Sequence, residues 1–319
     1  MRTTLHRLVV TLGIVGALTV MSPRAQEAPD RQQEPPAQQP QVFRSAADIV
    51  TIQASVRDAR GRIVSNLMQT DFEVRDNGQV RPILSLRSDR QSPISLAILV
   101  DMSGSMQIGP KIAMARQAYD SIMSQLRQDQ DEVALFTFDE KLHQRRDFTH
   151  DIATLKGALA DFAPFGSTSL FDATAEAARR LAARSATHKA IVVLTDGIDT
   201  SSTMTATQVS GLASSIDVPV FVVTTVPSMG QRLALEFSER STPTHVADLR
   251  DLAEWTGGQL VFASTFVETA VASSTLIDEL RQQYVLAIEA ASGGEWRRLD
   301  VRVRRGSTVV KARSGYFPG

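Results

Sequence analysis

Cysteine is absent from this 319-residue chain. That absence excludes disulfides, thiolate zinc sites, iron–sulfur clusters, cysteine nucleophiles and lipid attachment through cysteine. Strong charge of either sign is missing too. A formal net charge of −1 gives no electrostatic footing for nucleic acid or an anionic membrane. The five histidines, His6, His143, His150, His188 and His245, are scattered, with no His-Glu-x-x-His or other paired metal spacing. There is no Gly-x-Ser-x-Gly elbow and no phosphate-binding P-loop. Past the first two dozen residues no stretch is long and apolar enough to span a bilayer. No internal repeat is visible.

What is present begins with a basic start at Arg2, His6 and Arg7. An uncharged, largely apolar run from Leu8 to Met21 follows, then Ser22-Pro23-Arg24-Ala25-Gln26. This pattern reads as a secretory signal over 1–25, with an uncleaved N-terminal anchor as the alternative. Either way the globular part is exported, to the periplasm or beyond, and no membrane span remains after cleavage. Residues 26–42 are rich in Gln, Pro, Glu and Ala and hold nothing that could build a core, so they form a tether.

Residues 43–90 carry β signals. Ile49 to Arg57 alternates between two faces, and Asn77-Gly78 marks a hairpin with a returning strand from Val80 to Leu86. Residues 91–283 alternate apolar strands with amphipathic helices, expected at Lys111–Leu126, Ile152–Phe162, Leu170–Ala183, Thr205–Ser215, Ala247–Thr256 and within Val267–Tyr284. Continuous apolar strands separated by such helices specify an α/β, doubly wound, mostly parallel sheet. Residues 284–319 return to β patterning, with Leu299, Val301 and Val303 alternating against Arg298, Asp300, Arg302 and Arg304. The two flanking β regions are each small for a free-standing domain, so they are expected to pair into one small β-sandwich.

The chemistry concentrates at strand ends. The uncharged run Leu96-Ala97-Ile98-Leu99-Val100 stops on Asp101, and Ser103 and Ser105 follow at alternate positions. These side chains offer only oxygen, which suits a hard cation. One loop cannot fill a coordination sphere, and two more candidates occur downstream. Gly166-Ser167-Thr168 introduces a helix, and Thr195-Asp196-Gly197 closes a second buried strand. In a parallel sheet all strand C-termini share one edge, so the three loops can meet there. Each piece alone has a plainer reading. A strand-end Asp with serines caps a turn, Thr168 can cap the helix after it, and Asp-Gly is a common turn pair. Asp199 reads as a solvated loop residue and Asp139 as a surface or supporting group. Tyr316-Phe317 reads as β-domain core.

Asp-x-Ser-x-Ser, then Gly-x-Thr, then a strand ending Thr-Asp-Gly, in this order and on these elements, resembles the von Willebrand factor type A domain. The resemblance runs from about Ile94 to Ala272. The flanking β segments and the ending Arg313-Ser314-Gly315-Tyr316 resemble exported bacterial proteins described as von Willebrand factor A-related. It implies a metal-ion-dependent adhesion site and no catalytic residues. Ser103 and Ser105 would bind Mg²⁺ through their hydroxyls, Thr168 directly or through water, and Asp101 and Asp196 mainly through water. Mn²⁺ or Ca²⁺ could substitute. The loops around Met102, Gly104, Met106, Gly166, Ser167 and Gly197 would face a protein partner that presents Asp or Glu to the metal. A hydrolase or phosphotransferase using the same acidic edge, or a scaffold with a structural metal, are the other readings. The sequence does not specify oligomeric state.

Overall fold

The computed structural model describes residues 48–88, 90–186, 188–225 and 244–318. The signal segment and tether expected over 1–42 lie outside the described residues. The central sheet contains six strands: β5 (Ile94–Asp101), β6 (Glu132–Phe138), β7 (Leu142–Thr149), β8 (His188–Thr195), β9 (Val220–Thr225) and β10 (Leu260–Ala263). Their spatial order is β10-β9-β8-β5-β6-β7, and every pairing is parallel except β6 with β7. β5 and β8 are interior strands, and β5 is buried along its whole length, which is why it carries no charge before Asp101.

Helices cover both faces. Leu96, Ile98 and Val100 pack with α1 (Lys111–Gln125) and α5 (Phe266–Arg281) on one side. Ala97 and Leu99 pack with α2 (Leu170–Ala182), α3 (Ala206–Ser215) and α4 (Thr244–Thr256) on the other. The alternation of β5 side chains between two separate cores is the doubly wound arrangement that its apolar run requires.

The β-sandwich expected from the flanking segments is present. One sheet orders β13 (Thr308–Ala312), β1 (Ile49–Asp58), β11 (Tyr284–Glu289) and β4 (Ile83–Arg87). The other orders β14 (Gly315–Tyr316), β12 (Arg297–Val303), β2 (Phe72–Asp76) and β3 (Gln79–Arg81). Val50, Ile52, Ala54, Phe72, Val74, Tyr284, Leu286 and Leu299 form its shared core. The Asn77-Gly78 turn joins β2 to β3, both residues at positive φ (47° and 82°), as a tight hairpin needs.

Three local expectations are corrected. The strand foreseen from Val80 to Leu86 divides at Pro82, and its halves enter different sheets. Proline has no N–H to donate to a ladder, so the chain changes sheet there. The helix foreseen over Ile152–Phe162 shortens to one 3₁₀ turn, Ile152–Leu155. Gly157 at φ 72° takes the backbone out of helical space, and the apolar spacing instead seats Ile152, Leu155 and Leu159 under α1. The edge strand β7 was not foreseen; a polar, half-exposed run has no apolar period to betray it. Of the terminal pair, Tyr316 is core, bonded to Ala291 N and Asp76, but Phe317 is half exposed against Trp296.

Candidate metal site at the strand C-termini

Asp101 ends β5 fully buried, and each carboxylate oxygen has a donor. The Ser103 N–H donates to Oδ1 at 2.9 Å, and the Thr195 hydroxyl donates to Oδ2 at 2.6 Å. Thr195 in turn accepts the Gly197 N–H at 3.0 Å, so one hydroxyl ties the ends of β5 and β8 together. Burial pushes the Asp101 carboxyl up to about 6, against the pull of the Thr195 and Ser103 hydrogen bonds, and the nearby Asp196 charge adds to the rise. After Asp101 the chain turns through a short 3₁₀ segment, Gly104–Gln107, which brings the Ser103 and Ser105 hydroxyls to 3.1 Å from each other.

Backbone bonds lock the second loop to the first. Gly104 N–H donates to Gly166 C=O at 2.9 Å, and Phe165 N–H donates to Met102 C=O at 2.6 Å. A Cβ on Gly104 would lie 3.3 Å from the Gly166 oxygen, and Gly166 itself sits at φ 89°. Glycine at both positions is what lets the loops close to this distance. Thr168 is buried at the base of α2. Its N–H donates to the Thr200 hydroxyl at 2.9 Å, and its C=O accepts the Thr200 and Ser201 N–H groups, each at 2.9 Å. The loop after β8 is thereby tied to the loop before α2.

Asp196 is held differently. Its Oδ2 accepts from the Lys111 ammonium at 2.8 Å, while Oδ1 is buried without a hydrogen-bond partner among the described residues. The same ammonium lies 3.3 Å from the Ser105 carbonyl, so Lys111 spans the first and third loops. Sequence reasoning missed Lys111 and Thr195. Thr195 was visible within the Thr-Asp-Gly triplet. The hint for Lys111 was a cation in the first turn of α1, where the helix macrodipole opposes it and an external carboxylate must compensate.

Other expectations shift in detail. Asp199 is a half-buried loop residue but not a free one: its carboxylate accepts from Ser202 N–H (3.1 Å), Ser202 hydroxyl (2.6 Å) and Phe171 N–H (3.2 Å), bracing the start of α2. Asp139 supports the edge from beneath, with its carboxylate near His143 (3.0 Å) and its carbonyl accepting the Ser169 N–H (2.7 Å). The Met102 and Met106 side chains are buried in the core. The apolar groups exposed on these loops are instead Phe165 (81%), Ile108 (66%) and Ile198 (41%). Among the described residues no group of three or more His, Asp and Glu side chains converges as a metal cage. The oxygen donors gathered at this edge are hydroxyls and two carboxylates.

Residues 96–199 match the von Willebrand factor type A domain family. Solved structures similar to the chain include the conserved hypothetical protein BatB from Bacteroides thetaiotaomicron. It is 17% identical over 59% of this chain and 98% of that one, with a TM-score of 0.47. Proximal thread matrix protein 1 from the mussel byssus, with a zinc-occupied MIDAS motif, is 16% identical over 66% of this chain and 50% of that one, TM-score 0.49. A von Willebrand factor type A protein from Catenulispora acidiphila is 14% identical over 85% and 74%, TM-score 0.49. No curated protein matches the sequence. Residues 96–199, which carry β5, the loop before α2 and the Asp196 loop, match a von Willebrand factor type A domain, and they lie within the mostly parallel sheet described above.

Proposed function

We propose that this is an exported, non-enzymatic interaction protein that binds a protein partner through a divalent cation. Asp101, Ser103, Ser105, Thr168 and Asp196 would hold the ion, Mg²⁺ in the first instance, with Mn²⁺ or Ca²⁺ as substitutes. The observation that carries the reading is the Asp196 Oδ1 atom, a buried carboxylate oxygen without a partner among the described residues, within one ammonium's span of Ser105. A buried unsatisfied anionic oxygen is costly, and a cation relieves that cost. The all-oxygen donor set and the resident positive charge of Lys111 fit the same demand. When bound, the ion supplies a Lewis-acidic position that an Asp or Glu of the partner can occupy.

The chain's own residues do the rest. Thr195 and the Ser103 N–H hold the Asp101 carboxylate in a single orientation. The Gly104–Gly166 contact fixes the hydroxyl loop against the Thr168 loop. Phe165, Ile108 and Ile198 supply exposed apolar area on the loops that carry the site, the kind of surface from which the buried core of a protein interface is built. The match to the von Willebrand factor type A family supports an interaction role. Export rests on the basic and apolar start of the chain; among the described residues no helix is long and apolar enough to cross a membrane.

The test is a titration of Mg²⁺ into chelator-treated protein, following melting temperature, with Asp101→Ala alongside. A metal-dependent rise in the wild type that vanishes in the variant is expected. No rise in the wild type removes the site. Steady turnover of phosphate or ester substrates that Asp101→Ala abolishes would overturn the non-enzymatic part.

A further inference from the structure

Lys111 is the residue at this edge that no cation-binding role explains. It opens α1 directly after Pro110, with no side-chain cap, at the helix end where a positive charge is disfavoured. Its ammonium is nevertheless drawn inward, its side chain only 13% exposed, onto a carboxylate that is 1% exposed. It also reaches the Ser105 carbonyl, and so lies between the hydroxyl loop and the Asp196 loop. Two positive centres cannot share this small, buried set of oxygens without strong mutual repulsion.

We propose that Lys111 is an internal cation that competes with the divalent ion for Asp196, and so sets the ion affinity of the site. This rests on the reading that the edge binds a divalent cation. In the ion-free protein Lys111 neutralises Asp196 and keeps the three loops assembled. Ion binding displaces the ammonium towards solvent, which its long flexible stem permits. Affinity is lowered by the cost of breaking the Lys111–Asp196 pair, and the edge is held in shape whether or not an ion is bound.

The experiment is a Mn²⁺ titration of the full chain, reading the free ion by its electron paramagnetic resonance signal. Wild type, Lys111→Met, Lys111→Gln, Lys111→Arg and Asp196→Asn are compared, with circular dichroism confirming that each is folded. Lys111→Met and Lys111→Gln are expected to bind Mn²⁺ about tenfold tighter than wild type once the competing positive charge is gone. Their ion-free melting temperatures should fall. Lys111→Arg should stay near wild type, and Asp196→Asn should lose the ion. Equal affinity in wild type and both neutral variants, or weaker binding in them, overturns the competition while leaving the site reading intact. Absence of Mn²⁺ binding in every protein overturns both. Binding only in the neutral variants supports the competition in its strongest form.

Discussion

Two buried aspartates sit at opposite ends of the same parallel sheet, and they are treated in opposite ways. Asp131, where β6 begins, is fully enclosed and saturated. Its Oδ2 accepts from Arg127 N–H (2.7 Å) and Arg281 (2.6 Å), and its Oδ1 accepts from Ile94 N–H (3.1 Å), Arg127 (3.1 Å) and Arg281 (3.3 Å). Burial pushes its carboxyl up, but the Arg281 and Arg127 guanidiniums and the two backbone donors outweigh it and hold it at about 2. Asp196, just after β8, has one cation on one oxygen and, among the described residues, no partner on the other. Saturation at one end of the sheet beside half-satisfaction at the other, among the described residues, is the contrast expected if the second carboxylate is kept for an ion, as proposed above.

The sharpest way to break this comparison is to remove each carboxylate. Asp131→Ala strands two arginines and two backbone N–H groups and should cost about 3–5 kcal/mol in urea unfolding of the chelated protein. Asp196→Ala should cost far less under the same conditions; equal losses would mean that both are structural. Next in size is the ion itself. Mg²⁺ at a hundredfold excess over its Kd should stabilise the wild type by about 2.7 kcal/mol, and Asp196→Ala by nothing measurable, in thermal melts.

Acid titration separates the two ends again. Asp131 is lowered in the folded state from an ordinary value of 3.8 to about 2. Its contribution is therefore complete above pH 4 and disappears as pH falls towards 2. About 2 kcal/mol should be lost across that window, and Asp131→Asn should flatten that part of the stability–pH curve. Gly166→Ala forces a Cβ onto a residue at φ 89° and should cost about 1–2 kcal/mol, with weaker ion binding because the Gly104 contact loosens. Smallest in stability is Phe165→Ser. This ring is 81% exposed, so unfolding should move by less than about 0.5 kcal/mol. Ion affinity should also stay unchanged while partner binding weakens. A loss of ion affinity would show that Phe165 supports the loops rather than the interface.

Much of this was legible in sequence because the relevant signals are local. An uncharged run ending on Asp101 specifies a buried strand and its functional end. The spacing Asp101, Ser103, Ser105 places two hydroxyls on one short turn, and Asn77-Gly78 names its own hairpin. The unread parts depend on contacts distant in sequence. Lys111 in the first turn of α1 hints at a compensating carboxylate, but nothing around it says that this carboxylate lies 85 residues away. Met102 and Met106 sit on the site loop, yet their burial depends on α1 and α5 packing beneath. Pro82 could have been read as a strand breaker, but that its two sides join different sheets is a property of the whole sandwich.

The sequence by itself determined the α/β class, the edge on which the chemistry gathers and the oxygen-only character of its donors, because periodicity and residue type are written locally. Only the tertiary structure decided which of those oxygens are already satisfied. Thr195 and Ser103 complete Asp101; Lys111 takes half of Asp196 and leaves the other half bare. Hydrogen-bond saturation is a property of neighbours brought together by folding, and at this edge it distinguishes a carboxylate with both oxygens held from one with an oxygen left open among the described residues.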